Sequence, residues 1–405
     1  MHTLRDTHLT VSVGGNMKEM KFRLLILFVL TTNFYLHAQE SSETIKLLVS
    51  SRVDTTSEDI NSIIKLYEDY YKSKPDSIYD NPHWNSKEKE LYEDFDFSRV
   101  SIFQGGMNAE KLFKYFSPFV MSVETIGSKY QIRVLFSSPT TDPKYAGSKV
   151  WCIQKLNAIK EKEVWVFENL IVDLSKNWSS QQLGFIKYIY PSTHSFNQKE
   201  AERSKAFCQE IMQRFNPSFQ DSFDYYVTSS KDEMGLLENF DYYFVGITSG
   251  KARETMILTS KGNEYYPHEF VHKLLPTNTN RSYIIEEGLA TFLGTKEDSV
   301  EYAKLMKNLA LDLASNSEKI NFQSTISQTA RFNGYQTAYP AGAAICELVH
   351  KASGDKGLIQ LMNANTIGFD NIIETVSEIT GLNKEEIEIE WKKIINTTAN
   401  KTYKQ

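Results

Sequence analysis

Hydrophobic spacing changes period twice along this chain, and that restricts the folds open to it. Over residues 57–72 the apolar positions Ile60, Ile63, Ile64, Tyr67, Tyr70 and Tyr71 fall at helical intervals, with Thr55 and Glu58 in capping-box register. A shorter helix is predicted over 109–115. The period then becomes two: Tyr130, Ile132, Val134 and Phe136 alternate with Gln131 and Arg133, and strand-like runs follow over 150–160 and 163–174, separated by Lys/Glu turns. From about Asn197, which stands in capping-box register with Glu200, helical spacing returns. Only short strand candidates at 223–227, 242–247 and 254–258 interrupt it, and from Pro267 onward nearly everything reads as helix. The expected class is α+β: a helix-plus-antiparallel-sheet domain over 40–175, then a mainly α-helical domain over 192–400 with a small edge sheet.

The first 38 residues stand apart. Lys21 and Arg23 precede the apolar run 24–30, and Ala38 offers a small residue before Gln39, which reads as a secretory signal peptide; residues 1–16 form an overhang ahead of a more natural start at Met17 or Met20. The apolar run is too short for a bilayer, which needs about 20 residues. Export without a stable membrane anchor is expected, to periplasm, cell surface or medium. A net charge of −6 and the lack of a basic stripe exclude a nucleic-acid surface. Cys152, Cys208 and Cys346 are odd in number, far apart and set in apolar patterns, so they are expected as buried free thiols.

Chemistry concentrates at His268-Glu269-Phe270-Val271-His272. Residues four apart share one helical face, so both imidazoles can reach one metal ion, while Glu269 projects beside it as a general base for a bound water. The plainer alternative is a helix with two surface or capping histidines. Glu286-Glu287-Gly288 follows at a distance that lets the next helix return alongside and supply a third ligand.

With that Glu-Gly step, residues 192–396 resemble the gluzincin metallopeptidases, in particular the peptidase MA-like group. The resemblance implies a zincin-type fold and one zinc ion held by His268, His272 and Glu287, with Glu286 where many members have asparagine. It also implies an oxyanion donor at Tyr339, in Tyr339-Pro340-Ala341-Gly342-Ala343, with Tyr335 in reserve. Residues 254–259 correspond to the edge strand on which such enzymes lay an extended substrate. Lys261-Gly262-Asn263-Glu264-Tyr265 departs from the Gly-x-Met-Glu-Asn segment of the aminopeptidases, so exo- or endo-action stays open. Thr291, one turn after Glu287, is the candidate partner for a ligand; His350 reads as a dipole cap, and His83 and His194 as loop residues. Weakly, by element order, the first domain resembles the cone-shaped nuclear-transport-factor-like fold. The expectation is a secreted zinc peptidase acting on a peptide or protein substrate. The competing expectation is an exported binding module whose zinc site is structural or inactive.

Overall fold

Period-two alternation builds the first of two mixed sheets. In the computed structural model, which describes residues 47–104, 106–139, 148–295, 299–315, 318–328 and 337–400, strands β1 (Leu48–Val49), β2 (Ser117–Ile126), β3 (Lys129–Pro139), β4 (Ser148–Glu161) and β5 (Val164–Glu168) lie side by side in that order. The leader at 1–38 and Tyr335 lie outside the described residues. Helix α1 (Glu58–Lys72) covers this sheet with three buried tyrosines; Tyr71 packs on Phe136 and Tyr67 on Phe167. The cap of α1 is Ser57, whose side chain accepts from the Ile60 amide, and not Thr55. The expected strand over 163–174 stops at Glu168. There the Asn169 amide turns to the Glu88 carboxylate and the Leu170 amide to the Asn239 side chain, which ends the ladder, and Ile171–Leu174 closes into a helical turn.

The second sheet has five strands in the order β10-β11-β8-β7-β6. They are β6 (Ser179–Leu183), β7 (Ile186–Tyr190), β8 (Phe223–Val227), β10 (Gly250–Ala252) and β11 (Met256–Thr259); β9 (Phe240–Tyr243) returns to the first sheet and pairs with β4. Two expectations change. The strand foreseen at 242–247 ends at Tyr243, before the positive φ of Gly246 (86°). The strand foreseen as the free edge at 254–259 is interior: β11 has β8 on one side and β10 on the other, so the edge is β10. The reason is a reversal after β10 that lets Arg253 donate its amide to Met256 O at 2.7 Å.

The longer helices that follow are α2 (Gln198–Phe215), α3 (Pro267–Leu274), α4 (Tyr283–Thr295), α5 (Ser299–Ser315), α6 (Ala338–Asn363), α7 (Phe369–Thr380) and α8 (Lys384–Ala399). Asn197 caps α2, and Asn383 with Glu386 forms both bonds of a capping box on α8. Gly354, at φ 60° and ψ −150°, breaks the helical backbone inside α6, so that two helical segments meet there at a kink. Phe270, inside the His-Glu-Phe-Val-His run, anchors α3 to the sheet: its ring lies 5.3 Å from Tyr225 and 6.2 Å from Phe223. The opposite face, through Tyr226, Met256 and Leu258, packs on Phe97 and Ile171 of the N-terminal half. The mixed architecture is therefore sheet-rich at the N-terminal end and mostly helical at the C-terminal end. Cys152, Cys208 and Cys346 are buried free thiols. No described helix is long and apolar enough to cross a membrane.

Candidate metal centre

Pro267 at the first position of α3 starts a helix without needing the amide that proline lacks. One turn then separates His268 from His272, and their Nε2 atoms lie 3.2 Å apart. Helix α4 brings Glu287 to them: its Oε2 is 3.2 Å from Nε2 of His268 and 3.4 Å from Nε2 of His272. Donors about 2.0–2.1 Å from a tetrahedral ion stand about 3.3 Å from one another, so this nearly equilateral triangle has the dimensions of three ligands on one metal ion. These three residues are the group among the described residues that could hold one.

Two glycines make the approach of α4 and α6 possible. A β-carbon on Gly288 would lie 2.4 Å from the carbonyl carbon of Gly342, and one on Gly342 would lie 1.9 Å from the carbonyl oxygen of Ile284. Backbone therefore meets backbone where α4 and α6 cross. The Glu-Gly step and the Gly-Ala step read in the sequence are the two sides of one contact. Its consequence is placement: Glu287 precedes one glycine, and Tyr339 sits one turn before the other. The Tyr339 ring stacks on His268 at 5.4 Å and 24°, and Tyr266 stacks on the same imidazole at 6.2 Å and 28°. Burial, reinforced by Glu287 and by a hydrogen bond with Tyr283, pushes the Tyr339 phenol far above its ordinary pKa. It is a neutral donor at any physiological pH.

Glu269 is buried beside the triangle, and the Ala252 amide of edge strand β10 donates to its carboxylate. Burial raises its pKa, partly offset by the two imidazoles, which makes it a better proton acceptor than an exposed carboxylate. Only glycine fits above it: a β-carbon on Gly250 would sit 2.6 Å from Cγ of Glu269 and 2.4 Å from Cε1 of Tyr266. His268, Glu269, His272, Glu287 and Tyr339 all line one cleft of about 1900 Å³.

The residue that orients His272 is Glu286. Its Oε1 is 3.5 Å from Nδ1 of His272, and its Oε2 accepts from Nη1 of Arg281 at 2.6 Å. Arg281 is fixed in turn by the carbonyls of Met362 and Pro276. Burial alone lowers the pKa of His272, but the carboxylates of Glu286 and Glu287 reverse this and raise it to about 10. Burial likewise raises that of Glu287, and contacts with His268 and His272 hold it down to about 2. Thr291 does not take the orienting role: among the described residues its buried hydroxyl has no hydrogen-bond partner. The sequence offered one clue to Glu286, a carboxylate in the first turn of a helix; nothing local announced Arg281.

The other histidines lie elsewhere. His194 reaches Glu264, fully buried, at 2.7 Å, and His350 lies 3.4 Å from Asp355. His83 is half-buried, and burial lowers its pKa. Compared with models of protein families and with the sequences of curated proteins, the chain matches none.

Proposed function

We propose that this chain is an exported zinc-dependent peptidase of the gluzincin type, acting on peptide or protein substrates. The observation that carries the reading is the triangle of His268, His272 and Glu287 with a buried, uncoordinated carboxylate, Glu269, at its side. A structural metal site needs no such base. Glu286 supports the catalytic reading too, because both its oxygens are engaged by His272 and Arg281 and neither serves as a fourth ligand.

A zinc ion on these three donors would act as a Lewis acid and bring a water to a pKa near 7. The protein's own groups then divide the remaining work. Glu269 takes a proton at its carboxylate as the scissile carbonyl is attacked, and returns it to the leaving amine. Tyr339 donates its phenolic hydrogen to the developing oxyanion. The Ala252 amide holds the Glu269 carboxylate in place until the proton moves. Resemblance in the Glu-Gly and Gly-Ala steps supports the assignment of Glu287 and Tyr339, and the apolar leader supports export.

Glu269→Gln tests the reading. The variant should keep its metal and lose hydrolysis of a peptide library by about 10²–10⁴-fold, the usual range for a general base. A Glu269→Gln chain that cleaves like the wild type refutes it.

A further inference from the structure

The cleft has a second wall, built by Val100 and by β9 with the loop that follows it, that the proposed chemistry does not use. Val100, Tyr242 and Val245 line it, and they are 54%, 46% and 53% exposed despite being apolar. This wall is fastened rather than loose. Tyr243 points inward and donates its hydroxyl to the Ser101 carbonyl at 2.7 Å, and the Phe244 amide donates to Trp151 O at 2.8 Å. Edge strand β10 is tied to the same helical turn, Arg99–Ile102, since Nζ of Lys251 lies 3.2 Å from the Ser101 hydroxyl and 2.8 Å from Glu238. The apolar wall and the strand that holds Glu269 are one framework.

Continuity with the reactive end identifies the occupant. Val245 is five residues from Gly250, which packs on the Glu269 side chain, so the wall begins no more than about 18 Å from that glycine. Val100, Tyr242 and Val245 line the same cleft as Glu269, so a segment extended along it from the reactive end can reach them. A half-open cleft of about 1900 Å³ admits an extended chain, whereas a folded partner needs a face of about 800 Å². We propose that Val100, Tyr242 and Val245 form a specificity wall that takes a bulky apolar side chain of an extended peptide, within about five residues of the bond presented to Glu269. The edge of the first sheet, where β9 pairs with β4, thus selects substrate. The inference rests on the peptidase reading for the identity of its ligand, but its test reads binding, so failure to cleave and failure to select are separate results.

The experiment uses the full chain carrying Glu269→Gln and fluorescence anisotropy with short labelled Gly/Ser peptides, with and without a single Phe. The Phe peptides should bind about tenfold tighter, the scale of burying one large apolar side chain. Adding Tyr242→Ser and Val245→Ser should abolish that preference and leave binding of the Gly/Ser peptide unchanged. Val100→Ser, at an exposed position, should reduce it on its own if the double change fails to fold. Equal binding of the two peptides, or a Phe preference that survives these substitutions, overturns the proposal. So does light scattering that finds a dimer dissociated by Val245→Ser, which would make the wall a surface for a second copy.

Discussion

Gly342→Ala is the sharpest test of how the helices place the centre. The added methyl would sit 1.9 Å from the Ile284 carbonyl oxygen, where a carbon–oxygen contact needs about 3.3 Å. The helices α4 and α6 must therefore part by about 1.4 Å at this point. Overpacking costs about 1–3 kcal/mol, and contact with rigid backbone places this case at the upper end. Alanine returns up to about 1 kcal/mol in helix propensity. The net loss is about 2 kcal/mol, or a melting temperature lower by about 2–3 °C in a chain of this size. Glu287 precedes Gly288 at the same crossing, so displacement of α4 also opens the ligand triangle, whose longest side is 3.4 Å. Metal affinity should fall by about 10–100-fold, the range seen when ligand positioning is lost. Calorimetry and titration against a chromophoric chelator read the two effects. Ala352→Gly, at an exposed position farther along α6, is the control: it should cost about 1 kcal/mol and leave metal affinity alone. A Gly342→Ala chain that melts within about 1 °C of the wild type and holds metal as tightly refutes the close crossing as the source of the geometry.

Two further outcomes follow from the same geometry. His272 has a pKa raised to about 10 in the metal-free chain, so below that pH a bound metal must displace its proton; affinity should rise about tenfold per pH unit, roughly 100-fold from pH 6 to pH 8, and a flat profile in chelator competition would contradict the Glu286 and Glu287 contacts. Tyr339→Phe should lower kcat by about 10²–10³-fold with metal content unchanged, and full activity in steady-state assays would remove Tyr339 from the reaction.

The sequence made local features readable and long-range ones opaque, for physical reasons. Helical geometry alone puts His268 and His272 on one face, so that pair was legible from spacing. Glu287 needed the resemblance as well, because only tertiary packing decides whether α4 returns at the right height. Gly288 and Gly342 were visible as residues, but no local pattern says that one meets the other. Arg281 lies five residues before Glu286 in a connecting loop, and its anchors at Met362 arrive from the end of α6. In the sheets, the β6–β7 hairpin escaped because Ser179-Ser-Gln-Gln-Leu183 carries almost no apolar alternation. The resemblance put the edge at residues 254–259; the apolar character of β11 marks instead a strand buried on both sides, while the true edge, Gly250-Lys-Ala252, is short and nearly silent.

The proposed chemistry stands on one zinc ion held by His268, His272 and Glu287. Elemental analysis of the full chain, purified without chelator, measures it directly, with His272→Ala alongside. About one zinc per wild-type chain is expected, and almost none in the variant. Wild-type protein free of zinc, or zinc that persists undiminished in His272→Ala, would contradict it.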